Sequence, residues 1–240
     1  MITFIKVCLL LHIAFAGDIG KSPFITKCKW DDSNCLKSST QDAIPIFAKG
    51  IPELEVETLD PIYVANLDAS SKTLNLLLKN ITGTGLKDTI VKKVLRSISE
   101  SKLLVKLQCT VDFKGQYEMK GRLLFVPIEG NGGARVILRK IIITVEVDLG
   151  EKTGDDGLKR WNINDWKHSY ELKDKATIEL ENLFNGNKIL GFAAHNLIAS
   201  NSNEIVLEVG PPIVKAIVEK IVDNVKRFFE KVPAEELELI

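Results

Sequence analysis

Residues 103–125 read LLVKLQCTVDFKGQYEMKGRLLF, and the period of that stretch decides the fold class. Leu103, Val105, Leu107, Cys109, Val111 and Phe113 alternate with Lys106, Gln108, Thr110 and Asp112. After Lys114-Gly115, the residues Tyr117, Met119, Leu123 and Phe125 alternate with Gln116, Glu118, Lys120 and Arg122. Successive side chains of a strand point to opposite faces, so a period of two sends one set to a core and the other to water. We read two antiparallel strands joined by a turn at Lys114-Gly115, with Cys109 a small buried hydrophobe on the apolar face.

The same period extends in both directions, from about Ile62 to Phe184. Leu74, Leu76 and Leu78 alternate with Thr73, Asn75 and Lys79 on one side. On the other, Gly130-Asn131-Gly132-Gly133 reads as a turn before a long strand from Ile137 to Leu149, and Gly154-Asp155-Asp156-Gly157 as a turn before Trp161-Asn162-Ile163. Polar turns between long alternating strands describe an antiparallel meander with one apolar face. Strands of about a dozen residues exceed the usual five or six, and long sheets twist and curl around whatever fills them.

The C-terminal third supplies the filler. Ile189 to Ala199 reads as a short helix. From Pro212 onward Ile213, Val214, Ile217, Val218, Ile221, Val222, Val225, Phe228, Phe229 and Val232 recur at spacings of three and four. Pro211-Pro212 suits a helix start and Pro233 an end, which gives a rod of about 30 Å. Its polar face (Lys215, Glu219, Asp223, Lys226) mixes signs, so burial against the sheet is preferred to a membrane interface.

At the other end, a cysteine pair leads into a helix that starts at Asp32 or Ser33 and stops at Gly50, with Leu36, Thr40, Ala43, Ile44 and Phe47 on one face. Pro45 removes a backbone bond to Gln41 and predicts a kink or a fresh last turn. Before the pair, Lys6, an apolar run from Val7 to Phe15, and Ala14-Phe15-Ala16 form a secretory leader over 1–16. That leaves 17–240 as one domain and sends Cys8 and His12 away with the leader. Secretion makes a disulfide reasonable, and Cys28–Cys35 closes the shortest loop, leaving Cys109 unpaired. Asn80-Ile81-Thr82 is a glycosylation sequon.

Lysine plus arginine and aspartate plus glutamate stand at 32 each, so no net field draws nucleic acid. Sequence signatures of hydrolases, zinc sites, P-loops and dinucleotide folds are missing. His168 and His195 lie apart from paired carboxylates or cysteines. The reading is therefore no catalytic residues, no metal and no cofactor.

Two separated motifs in order carry a family resemblance. The first is C-x6-C-L, then Ala43-Ile44-Pro45, Lys49-Gly50-Ile51-Pro52-Glu53-Leu54 and Leu59-Asp60-Pro61. The second is Asn182-Leu183-Phe184-Asn185-Gly186-Asn187-Lys188 with Leu190-Gly191, followed by Val232-Pro233-Ala234-Glu235-Glu236-Leu237. The chain resembles the takeout/juvenile hormone binding protein family of insect secreted carriers over 17–240. The resemblance implies an α+β fold in which a long C-terminal helix is wrapped by a highly curved antiparallel sheet. That is half of the tubular lipid-binding architecture of bactericidal permeability-increasing proteins. It also implies an elongated apolar tunnel for a terpenoid, fatty acyl chain or related lipid. A lone Cys109 in place of a second cysteine pair favours the takeout branch, and Gly210-Pro211-Pro212 is a heavier helix break than the family generally shows.

Strand phase and helix face nominate the lining: Ile44, Phe47, Val105, Leu107, Val111, Phe113, Tyr117, Met119, Leu123, Phe125, Val225 and Phe228, with the Tyr117 hydroxyl placed to orient a ligand's polar end. The functional expectation is a secreted, extracellular, monomeric, non-enzymatic carrier of a small hydrophobic ligand, without stable membrane insertion. The alternatives are a secreted interaction module with a filled core, and an esterase acting on a lipid.

Overall fold

The computed structural model describes residues 24–239; the leader reading of 1–16, with Cys8 and His12, lies outside them. Seven strands form one antiparallel sheet: β1 (Ile62–Asp68), β2 (Leu74–Thr84), β3 (Ile90–Ser97), β4 (Lys102–Leu123), β5 (Val126–Thr153), β6 (Lys159–Leu172) and β7 (Thr177–Leu180). Three helices accompany it: α1 (Ser33–Lys49), α2 (Lys188–Ser200) and α3 (Ser202–Lys231). The fold is the α+β arrangement expected, a curled but unclosed sheet around a long C-terminal helix.

The alternating stretch is longer than two strands. Lys102–Leu123 is a single strand paired throughout with β5, from Lys102 opposite Asp148 to Leu123 opposite Val126. Lys114-Gly115 and Gly130–Gly133, both expected as turns, lie inside β4 and β5. Their glycines serve close approach instead. A Cβ at Gly115 would stand 3.0 Å from the Lys79 carbonyl oxygen, and one at Gly130 would stand 2.6 Å from the Tyr117 hydroxyl and 3.0 Å from Leu183 Cα. The true reversal is the two-residue turn Leu124-Phe125, both at positive φ, which suits the twist of a hairpin. Each side of this central hairpin is covered by two shorter strands end to end: β3 and β2 along β4, β6 and β7 along β5.

Bulges keep the apolar phase on the concave face while the strands bend. Between Cys109–Ile141 and Val111–Leu138 the register shifts by one residue on β5, where Lys140 takes φ 49° and its N–H donates to Thr110 Oγ1 at 3.2 Å. Even positions up to Leu138 and odd positions from Ile141 thereby face the same way. A bulge adds bend and twist at the same spot.

The helix inside is more continuous than Pro211-Pro212 suggests. α3 runs from Ser202 through both prolines to Lys231. Proline removes the bonds to the carbonyls of Leu207 and Glu208; these four residues are all exposed, so the freed carbonyls lie on the solvent side. On the inner side the Tyr170 hydroxyl donates to the Val206 carbonyl at 3.0 Å, and Gly210 leaves room for that ring. The apolar stripe from Ile205 to Phe229 stays buried.

α1 is capped by Asp32, whose carboxylate accepts from Cys35 N–H at 2.9 Å, and passes through Pro45 without being split. It packs along β3, where Gln41 stands in for a neighbouring strand: its Oε1 accepts from Val91 N–H at 2.8 Å and its Nε2 donates to the Thr89 carbonyl at 2.9 Å. Cys28 and Cys35 are disulfide-bonded with Cα atoms 5.7 Å apart. The Cys28 carbonyl accepts from Leu239 N–H at 3.0 Å, so the staple and the C-terminal tail close the same end of the roll. There the Arg96 guanidinium pairs with Glu238 and lies 4.4 Å from the Trp161 ring centre.

Glu57, in the loop before β1, clamps the outer face of α3 through Lys220 at 2.8 Å and Arg227 at 2.6 Å. Beneath that clamp the buried Asn224 accepts from Glu57 N–H at 2.6 Å and donates to the Lys220 carbonyl at 2.8 Å.

Replacing Cys35 by serine releases the loop constraint and should cost about 2.5 kcal/mol; an unchanged denaturation midpoint would refute the staple. The hydrogen bonds from Lys220 and Arg227 hold the Glu57 carboxyl at about 2. A depressed folded value means that the clamp stabilises fully above the ordinary carboxylate range and is lost as pH falls toward 2. The melting temperatures of Glu57→Gln and wild type should therefore differ at neutral pH and converge at about pH 2; a gap that persists there would contradict the clamp.

Candidate ligand-binding cavity

The two ends of the roll are filled differently. Toward the C-terminus of α3, Phe228 and Phe229 meet Phe24, Phe47 and Trp161, with Phe47–Phe228 centroids 5.0 Å apart and Trp161–Phe229 edge-to-face at 5.2 Å. Rings that large leave no channel. Toward the N-terminus the helix contributes Ile205, Val206, Val209, Gly210, Ile213, Ile217 and Ile221, and these face Leu74, Leu76, Leu78 and Ile81 of β2. The far walls are Val111 to Leu123 of β4, Ala134 to Ile143 of β5, and Ile178 and Leu180 of β7. The side chains of helix and sheet do not meet across this space, and a cavity of about 170 Å³ remains.

The cavity follows α3 from Ile205 to Ile221, roughly 24 Å at 1.5 Å per residue. Almost no polar surface faces it. An engineered apolar cavity of about 150 Å³ stays dry and takes up benzene, so this space has the size and chemistry to hold hydrocarbon. A second cleft, about 350 Å³ between β1 and the outer face of α3, is rimmed by Glu57, Lys220, Asp223 and Arg227. Its charged rim suits neither an apolar ligand nor a dry site.

Tyr117 and Cys109 place a hydroxyl and a thiol in the β4 wall. Tyr117 is buried, and its hydroxyl donates to the Glu181 carbonyl at 2.6 Å. Burial, then the nearby Glu181 charge, push the phenol up to about 12. Its proton is thus committed to the chain, and the ring forms wall while the hydroxyl pins the segment that crosses β5. Cys109 is a free buried thiol, which burial pushes up to about 11.

The model for the haemolymph juvenile hormone binding protein family matches residues 8–238. The chain belongs to that family. The circadian clock-controlled protein daywake of Drosophila melanogaster is 25% identical over 225 residues, 88% of this chain and 86% of that protein. The juvenile hormone-binding protein of Manduca sexta is 27% identical over 88 residues, 35% of this chain and 38% of that one. The crystal structure of Takeout 1 from Epiphyas postvittana superposes with a TM-score of 0.87 at 30% identity, covering 90% of this chain and all of that one. The takeout/juvenile hormone binding resemblance read from the two motifs is thereby shown.

In this family member the sequence-nominated residues divide cleanly. Val111, Phe113, Tyr117, Met119 and Leu123 line the cavity. Phe47, Val225 and Phe228 belong to the ring-filled core at the other end. Val105 and Leu107 are half-buried on the part of β4 between Leu103, in that core, and Cys109, at the cavity. Ile44 is half-buried on α1, which is no cavity wall. Phe125 is 93% exposed, because it occupies the turn that the strand reading extended through. Asn80 is exposed at the bulge in β2, with its Oδ1 accepting from the Tyr63 hydroxyl at 3.0 Å. His195 is exposed on α2; His168 sits on β6, its pKa lowered by burial and by Lys215.

The lining contributed by β2, β5, β7 and the first half of α3 was not nominated. The clue that could have found it is side-chain size along the helix. Phenylalanines cluster at the C-terminal end, while the inward positions of 205–221 carry valine, isoleucine and glycine.

Because its thiol is buried and protonated, Cys109 should react with a small alkylating reagent at pH 7.5 at least a hundredfold more slowly in the native protein than in denaturant. Equal rates, followed by mass spectrometry, would place it outside the cavity wall.

Proposed function

We propose that the chain is a secreted, monomeric carrier that holds one small hydrophobic molecule along α3. The observation that carries this reading is the long, almost wholly apolar cavity between the helix and the concave sheet. Membership of a family described by haemolymph juvenile hormone binding supports it. A lining that spans roughly 24 Å of α3 at 1.5 Å per residue favours an extended flexible chain, terpenoid or fatty acyl, over a compact ring system. Transfer of such a molecule from water gains roughly 25 cal/mol per Å² of apolar surface removed. With the Tyr117 proton already bonded, fit to the cavity sets selectivity more than polar contacts do. In an extracellular setting the Cys28–Cys35 bridge persists, and the exposed Asn80 is the glycan acceptor.

A binding role is favoured over hydrolysis by the wall chemistry. Hydrolysis of a bound ester needs an activated nucleophile with a base in reach. The cavity presents a protonated thiol and a phenol held at about 12, and neither His168 nor His195 borders it.

Native mass spectrometry of protein secreted from insect cells, with organic extraction, should find a stoichiometric apolar molecule. Ala134→Phe, which projects a ring into the cavity, should weaken an apolar fluorescent probe at least tenfold while changing the melting temperature little. A protein that carries no extractable lipid and binds no probe would end the carrier reading and favour a filled core. Probe binding unaffected by Ala134→Phe would move the site elsewhere.

A further inference from the structure

The outward face of α2 has no role in carrying a ligand. Its sequence, KILGFAAHNLIAS, puts Gly191, Ala194 and Ile198 against the sheet. The opposite face carries Ile189, 83% exposed, and Phe192, 70% exposed, with Leu190 at 48% on one flank. An isolated exposed leucine needs no explanation. Three large apolar side chains within one turn of one helix do.

The ionisable residues narrow the partner. α2 has no carboxylate; its only ionisable side chains are Lys188 and His195. At 100° per residue both fall on the flank opposite Leu190. A short helix with apolar side chains outward and a lysine beside them matches an interfacial helix at an anionic lipid surface, where the apolar groups enter the acyl boundary and lysine reaches the headgroups. Area argues against a second copy of the chain. Ile189, Leu190 and Phe192 expose on the order of 400 Å² among them, about half of the roughly 800 Å² per partner of a stable protein interface.

Position adds a second reason. The inner face of α2, through Ala194 and Ile198, belongs to the same apolar cluster as Leu76, Tyr117, Met119, Leu123 and Ile205, which are walls of the cavity. The outward patch is thus one helix thickness from the ligand space, at the end of the roll that is not closed by aromatic rings. No helix among the described residues is long and apolar enough to cross a membrane, so any contact is peripheral.

We infer that the Ile189–Phe192 face of α2 is a reversible docking site for an anionic lipid surface. The inference goes beyond the carrier reading, and its test uses no ligand. In flotation with vesicles of phosphatidylcholine plus 30% phosphatidylserine, chosen on the order of biological anionic content, the full secreted chain should rise with the vesicles. Phe192→Asp and the milder Phe192→Gln should reduce the bound fraction at least tenfold and threefold. Lys188→Glu should weaken binding to the anionic vesicles and leave any residual binding to phosphatidylcholine alone unchanged. Both positions are on the surface, so the melting temperature and probe binding should stay as in wild type. This separates loss of docking from loss of fold or of the cavity. Failure of the wild type to float with anionic vesicles would overturn the inference, as would equal flotation of the Phe192 variants. So would a dimer in sedimentation that Phe192→Asp dissolves while flotation is absent.

Discussion

Everything in this molecule depends on one mutual constraint: the concave face of the sheet and the apolar stripe of α3 are each other's shelter from water. A sheet whose central hairpin pairs from Lys102–Asp148 to Leu123–Val126 cannot remain flat, because twist accumulates along strands of that length. Once curled, it presents an apolar trough that only an apolar rod can fill. The rod in turn carries Ile205, Val206, Val214, Ile217, Val218, Val222, Phe228 and Phe229, too much hydrocarbon to stand alone in water. The bulges at Asn80 and Lys140 follow from the same need, since each bends a strand while holding its apolar side chains on the helix side.

The fit between trough and rod is deliberately unequal along its length. At one end aromatic rings interlock and the Cys28–Cys35 bridge, the Arg96–Glu238 pair and the returning tail add local restraint. At the other, the helix offers only valine, isoleucine and glycine to the trough, and the two sides do not meet. A close-packed interior normally leaves few voids larger than a water molecule. An apolar void that follows about 24 Å of helix is a departure from that rule, and departures of this kind concentrate where a protein does its work.

The architecture was legible in the sequence because it rests on period. Two-fold alternation over Leu74–Leu78 and Leu103–Phe113, and spacings of three and four from Ile213 to Val232, are direct consequences of strand and helix geometry. What the period could not show was continuity. Glycine reads as a turn whether the chain reverses there or merely lets another backbone pass, so Lys114-Gly115 and Gly130–Gly133 were misplaced as reversals. Pro211-Pro212 reads as a helix start although the solvent side of a long helix tolerates both. The candidate site was half legible for a related reason. Alternation marks Val111, Phe113, Tyr117, Met119 and Leu123 as inward but says nothing of what lies opposite. Phe228 and Val225 face inward equally well, yet meet other rings. Whether inward side chains touch is a property of the three-dimensional pairing of sizes, which no single strand or helix encodes.

The chain order of these parts has a consequence for biosynthesis. The strands of the trough, Ile62 to Leu180, leave the ribosome before α3 does, and the tail that bonds Cys28 follows α3. For the time needed to make the fifty or so residues from the end of β7 to the end of α3, a few seconds at roughly 5–20 residues per second, the apolar trough has no occupant. A nascent chain in that condition depends on chaperones or on a loosely held hydrocarbon to keep its strands from pairing with others. The apolar space of the finished fold is thus also the surface that makes the unfinished chain vulnerable.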